Sequence, residues 1–170
     1  KKSTVHRFLK QRGLSSRPRR AYEERRAYRH PWAGDLWMED VMHGPQVIAP
    51  DGKLRKAYLH LMLDSAVRFV PAGEFRLGET AWDLEAVLKD GVARHGPPRT
   101  LYMDQGAAQR SGSLRVICAE LGIRLLHCRA YDPEAKAGVE RIFRTIREEV
   151  LDEAGERVVT LAELNSMLWS

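Results

Sequence analysis

Apolar and polar residues alternate in short blocks from Leu36 onward, and block length separates strands from helices. Leu36 to Val41 reads as a strand that stops at a Gly44-Pro45 break. An Asp51-Gly52 turn signal precedes two further strands, Leu54 to Leu63 and Arg68 to Phe75. The period then changes. Leu84, Val87, Leu88, Gly91, Val92 and His95 share one helical face, and Gly96-Pro97 ends that helix. Thr100 to Met103 is a short strand, Leu114, Ile117, Cys118 and Leu121 form a second helical stripe stopped by Gly122, and Ile123 to Cys128 is a fifth strand. A loop containing Pro133 leads into a helix from about Lys136 to Leu151, and Thr160-Leu161-Ala162-Glu163 is a capping box that opens a last helix. Three consecutive strands fit an antiparallel meander, and the later strand–helix alternation fits right-handed crossovers to parallel strands. The expected fold class is α/β, a mixed five-stranded sheet flanked by helices.

The region before Leu36 follows a different pattern. Residues 3–12 read as a short helix capped by Ser3 and ended by Gly13, and the stretch Ser15 to Pro31 is basic, contains two prolines, Pro18 and Pro31, and lacks periodicity. Three segments are expected: 1–14, a helical end; 15–31, a basic linker; and 32–170, the main body. Residues 1–30 hold eleven Lys or Arg and only two acids, a charge of +9, so the other 140 residues carry −4 within the total of +5. A basic arm on a mildly acidic body points to a polyanion partner, with a solvated linker as the plain alternative. No apolar run approaches the ~18 residues of a membrane span, no secretory signal is visible, and the two cysteines, Cys118 and Cys128, match no zinc or redox spacing. A cytoplasmic protein with free thiols is expected. The first residue is Lys1 rather than Met, which reads as a fragment or a processed chain.

Carboxylates supply the candidate chemistry. Metal-assisted phosphoryl transfer needs acids from separate parts of the chain to hold divalent ions ~3.5–4 Å apart. Asp40 in the first strand, Asp104 after the fourth and Glu140 in the long helix stand where such convergence is natural. Each has a plainer reading. Asp104-Gln105-Gly106 is also a good turn sequence. Glu140 also suits an amphipathic helix in which it pairs with Arg144, and on periodicity alone that is the simpler reading. Asp35 and Asp64 compete with Asp40, although Asp35, five residues away, falls on the opposite face of a strand. In the long helix Val139, Phe143, Ile146 and Val150 form the apolar stripe, while Lys136, Glu140, Arg144 and Arg147 lie on the adjoining face. Lys136, Arg141, Arg144 and Arg147, with Arg17, Arg19 and Arg20 in the linker, are the candidate DNA contacts. His127 and Cys128 read as structural neighbours of the site. The four tryptophans read as packing residues rather than base-stacking platforms.

These residues carry a family resemblance. Trp37-Met38-Glu39-Asp40-Val41-Met42-His43-Gly44-Pro45 resembles the first-acid motif of bacterial insertion-sequence transposases in the retroviral-integrase superfamily. Tyr58-Leu59-His60 through Asp64-Ser65-Ala66-Val67-Arg68 resembles their Asp-Asp-Ala-Ser-Arg hairpin, and Leu101-Tyr102-Met103-Asp104-Gln105-Gly106 their second-acid motif. Ile117-Cys118-Ala119-Glu120-Leu121-Gly122-Ile123 is similar to their next helix and strand, and Gly138-Val139-Glu140-Arg141-Ile142-Phe143-Arg144-Thr145 to their third-acid motif. Thirty-five residues lie between Asp104 and Glu140, the spacing that gives the family's D,D-35-E pattern its name. The match runs over about residues 32–151. It departs at Gln105, where Asn is usual, at Asp64-Ser65-Ala66-Val67, and at Lys136, whose register is shifted. The resemblance implies a ribonuclease H-like fold and two Mg²⁺ or Mn²⁺ ions on Asp40, Asp104 and Glu140, and it selects Asp40 over Asp35 and Asp64. It implies cleavage of DNA to free a 3′-hydroxyl and its transfer into a target, by homo-oligomers on paired DNA ends, with no small-molecule cofactor. Ser3 to Lys10 resembles the end of a helix-turn-helix recognition helix. Rival readings are a non-catalytic DNA-binding fragment or decayed copy, a nuclease of the same fold without strand transfer, and an interaction module built on the helix after Thr160.

Overall fold

The computed structural model describes residues 30–128, 133–152 and 157–170, with side chains from 138 onward in the second stretch. The helix expected at 3–12, most of the linker, Arg17, Arg19 and Arg20, and the Lys136 side chain lie outside the described residues. Five strands form one sheet: β1 (Leu36–Ile48), β2 (Leu54–Asp64), β3 (Ala72–Arg76), β4 (Thr100–Met103) and β5 (Arg124–His127), in the order β3-β2-β1-β4-β5. The β1–β2 and β2–β3 pairs are antiparallel, and β1–β4 and β4–β5 are parallel. The helices are α1 (Ala81–His95), α2 (Gly112–Glu120), α3 (Pro133–Ile146) and α4 (Leu161–Leu168), and a wider π-turn (Arg147–Leu151) extends α3.

Alternation along the strands builds two cores. Leu36, Met38 and Met42 pack on one face with Val139, Phe143 and Ile146 of α3 and Leu164 of α4. Trp37, Met62 and Leu101 pack on the other with Leu84, Val87 and Leu88 of α1 and Leu114 and Cys118 of α2. Each large apolar side chain buried this way contributes about 1.5–3 kcal/mol, and α3 is held where it is by three of them, Val139, Phe143 and Ile146. The edge strand β3 is covered by α4. The Asn165 side chain accepts from Phe75 N (2.7 Å) and donates to Phe75 O (3.0 Å), standing in for a neighbouring strand.

Several element limits differ from the sequence pattern. β1 does not stop at Gly44-Pro45. It continues to Ile48 through a bulge in which those two residues face Ala57 alone. A Cβ on Gly44 would lie 2.9 Å from the Phe75 ring and 3.1 Å from the Ala57 carbonyl oxygen, so glycine is required by close approach. The strand expected at Arg68 to Phe75 begins only at Ala72, because residues 65–67 form a turn held by Asp64 and the chain rejoins the ladder only after it. The first helix starts one turn before its apolar stripe, at Ala81, where Thr80 and Asp83 cap each other. The long helix starts at Pro133 rather than Lys136, and proline suits that first turn. The capping box at Thr160 forms as expected, with Glu163 as its partner. Among the tryptophans, Trp37 alone is core; Trp32, Trp82 and Trp169 are exposed, although Trp169 donates to Gly73 O at 3.2 Å.

His60 in β2 is buried, and its Nε2–H donates to the Gly78 carbonyl at 2.9 Å. Burial holds its pKa below the ordinary histidine value, against the raising effect of that hydrogen bond. As pH falls, the unfolded chain therefore takes the proton first, and stability present above about pH 6.5 drains away below it. The expected result is a urea midpoint that drops between pH 7.5 and 5.5, with a shallower drop in His60→Gln. Equal slopes in the two proteins would remove His60 as the cause.

Candidate active site

Parallel pairing of β1 and β4 brings two candidate acids side by side. Leu36 pairs with Thr100, Trp37 with Leu101 and Met38 with Tyr102, a constant offset of 64 residues. Continued by two residues, that offset sets Asp104, just past the end of β4, opposite Asp40. Neighbouring strands are ~4.8 Å apart, so the register alone delivers two carboxylates to one place. Both are half-buried, and both line a cleft of about 580 Å³ with Val41, Glu79, Gln105, Gly106, Ala107, Ala108 and Gln109. No basic side chain is among those lining residues. Three acids and several amide and carbonyl oxygens suit a hard divalent cation, which takes oxygen ligands.

Asp104 is fixed from the far side by the end of β5. Cys128 Sγ donates to Asp104 Oδ1 (2.6 Å), His127 Nδ1–H donates to Asp104 O (2.9 Å), and Gln105 Nε2 donates to Cys128 O (3.0 Å). His127 and Cys128 thus neighbour the site as structural residues, as their position in the sequence suggests.

Glu140 stands on α3, which covers the sheet face carrying Met38 and Met42, the neighbours of Asp40 on that side. Glu140 itself is exposed. With Arg141, Arg144 and Arg147 it lines a second cleft, of about 570 Å³. The arrangement keeps Glu140 apart from the two aspartates: among the described residues no three acidic, imidazole or thiol side chains form a ready metal-binding group. Nor does any ion pair join Glu140 to Arg144 among the described residues; the ion pairs lie elsewhere, as between Arg76 and Asp83 (3.2 Å).

The two competing aspartates have other partners. Asp35 precedes β1 and meets Arg99 at 3.5 Å. Asp64 is buried and accepts backbone N–H groups from Gly34 (2.7 Å), Ala66 (2.9 Å) and Val67 (3.3 Å). Neither lines the cleft of Asp40 and Asp104.

Comparison with known families decides the affiliation. The family model described as "Integrase core domain" matches residues 30–133, a span that contains both Asp40 and Asp104. The chain belongs to the integrase core domain family. This integrase core is 27% identical over 121 residues to the Pol-related polyprotein of the mouse intracisternal A-particle MIA14, and 30% identical over 118 residues to the Gag-Pol polyprotein of gibbon ape leukemia virus. Those alignments cover 71% and 66% of the chain but only 13% and 7% of the polyproteins. These relatives are retroviral. Among solved structures, the integrase catalytic core domain of HTLV-2 in complex with magnesium, in a trimeric form, aligns with a TM-score of 0.66 at 20% identity over 83% of this chain and 86% of that one. The simian T-cell lymphotropic virus intasome in complex with PP2A regulatory subunit B56 gamma gives 0.70 at 20% identity, over 85% of this chain and 50% of that one. The likeness establishes the ribonuclease H-like fold of the integrase core. No described helix is long and apolar enough to cross a membrane.

Two residues of the cleft in this integrase core escape sequence reading. Glu79 comes from the β3–α1 connection, and Gln109 reaches Glu39 Oε2 at 3.4 Å. Glu79 lies far from both aspartates along the chain, whereas Gln109 follows Asp104 by five residues, and no local spacing marks either.

Proposed function

We propose that this chain is the catalytic core of a transposase that cuts DNA and joins the freed 3′-end to a target, with Asp40, Asp104 and Glu140 holding two Mg²⁺ or Mn²⁺ ions. The observation that carries the reading is the register that sets Asp40 and Asp104 side by side in a cleft without bases. A cleft of that charge repels a phosphodiester unless cations stand between them. Bound there, the ions would activate the attacking oxygen and stabilise the leaving one. The two aspartates orient the ions from the sheet. Glu140 completes the set from α3. Its distance from the aspartates fits this role, because three converging carboxylates repel each other until a cation is present. The magnesium in the HTLV-2 core supports the choice of ion.

DNA is the proposed partner. Arg141, Arg144 and Arg147 form an exposed basic row beside Glu140 at helical spacing, suited to phosphates flanking the reacting bond. Lys136 and the linker residues Arg17, Arg19 and Arg20 extend that contact in the proposal, with residues 1–14 as the end of a recognition domain. The insertion-sequence type follows from the motif string, and multimers on paired DNA ends from the family resemblance, supported by the intasome and trimeric core among the neighbours.

The test is nicking and strand transfer on supercoiled plasmid with Mn²⁺ or Mg²⁺, comparing the parent with Glu140→Gln. Metal-dependent nicking with joined products in the parent, and a loss of about a hundredfold or more in the variant, is the expected result. Nicking without joined products would favour a nuclease of this fold. Full activity in Glu140→Gln would remove the third acid from the site.

A further inference from the structure

The end of β5 makes more contacts with Asp104 than sheet pairing requires. Cys128 N–H donates to Met103 O at 2.8 Å, a bond that prolongs the β4–β5 ladder by one residue. Beyond it, His127 holds the Asp104 carbonyl, the Gln105 amide holds the Cys128 carbonyl, and the Cys128 thiol reaches the carboxylate itself. Main chain and side chain of Asp104 are thus both gripped by two consecutive residues. Cys128 is half-buried and also packs on the core shared with α3. The chain's other thiol differs. Cys118 is fully buried on the opposite face of the sheet, and burial pushes its pKa up to about 11.

We infer that Cys128 is a positioning residue for Asp104: its S–H⋯Oδ1 hydrogen bond fixes the rotation of the carboxylate so that it meets a divalent cation already oriented. This rests on the metal-site reading above. A carboxylate on a strand-end loop turns freely about two bonds unless something holds it, and freezing those turns at the moment of binding weakens the site. Partners that hold a metal ligand in place matter nearly as much as the ligand, and their loss typically weakens metal binding by about 10–100-fold. Serine keeps a donor at this position, and alanine does not.

The experiment is Mn²⁺ titration of the 170-residue chain, read from the EPR signal of the free ion, in the parent, Cys128→Ala, Cys128→Ser and Asp104→Asn, with thermal melting of each. The expected result is an Mn²⁺ dissociation constant raised roughly tenfold in Cys128→Ala, near the parent's in Cys128→Ser, and beyond measurement in Asp104→Asn, all with similar melting. Parent-like affinity in Cys128→Ala, or equal weakening in the serine variant, overturns the positioning role and leaves the metal site standing. Parent-like affinity in Asp104→Asn, or no Mn²⁺ uptake by the parent, overturns the metal-site reading and the positioning role with it.

Discussion

Asp104→Asn is expected to lower metal-dependent DNA nicking by about a thousandfold, in line with the several kcal/mol a metal centre supplies, while the chain melts as the parent does. The two halves of this expectation have separate causes. Asparagine matches aspartate in shape and keeps an oxygen to accept from Cys128, and the His127 and Cys128 bonds to the main chain around it are untouched. The fold therefore has little to lose. The charge is what changes. In a cleft lined by Asp40, Glu79 and Asp104, removing one negative charge weakens the attraction for a divalent ion and takes away one of its oxygen ligands. Asp40→Asn should behave alike, because the register makes the two positions equivalent neighbours. Plasmid nicking across an Mn²⁺ series, with melting curves alongside, measures both halves. Nicking by Asp104→Asn at the parent rate would sink the assignment.

The sequence read well where information is local and poorly where it is not. Five short apolar blocks with a change of period between them made the five-stranded mixed sheet legible, an antiparallel meander followed by parallel strands, since a meander and right-handed crossovers leave few alternatives. The stripe Val139, Phe143 and Ile146 was legible because a helix buries one face whatever it packs against, and all three are core. The break read at Gly44-Pro45 failed for the same reason in reverse. Its turn signal is local, but pairing with β2 runs past it, and a bulge leaves Pro45 with no ladder bond to supply. Phe69, Val70 and Pro71 look like strand residues and are not, because one distant decision, the burial of Asp64 under Gly34, ties residues 65–67 into a turn. The acids were legible as candidates only. What joins Asp40 to Asp104 is an offset between two strands, and what keeps Glu140 in another cleft is the docking of α3. Neither leaves a mark within any window of the chain.

Asp64→Ala should cost about 3–5 kcal/mol of stability, the scale seen when a buried charge-assisted network loses its centre, and should do so without any direct effect on metal binding. Asp64 is 3% exposed, and its carboxylate accepts three backbone N–H groups that no strand or helix would otherwise satisfy. Oδ1 closes the turn through Ala66 and Val67. Oδ2 reaches back thirty residues to Gly34, in the segment that leads into β1. Alanine leaves those donors facing a void, each worth about 1–3 kcal/mol if no water enters. The sum is not additive, because the exposed side of the turn at Val67 can rehydrate once the turn opens. Against a total stability of about 5–15 kcal/mol, such a loss leaves the protein marginal. Asp64→Asn should lose less, since one oxygen still caps the turn while its amide must face the Gly34 N–H. Urea unfolding of the two variants beside Asp40→Ala draws the contrast: the Asp64 variants shift the midpoint, and Asp40→Ala, whose carboxylate lies in the cleft, shifts it far less. An unfolding free energy for Asp64→Ala within about 0.5 kcal/mol of the parent's, the ordinary range of a surface change, would defeat the structural role and return Asp64 to the list of acids that the chemistry has to explain.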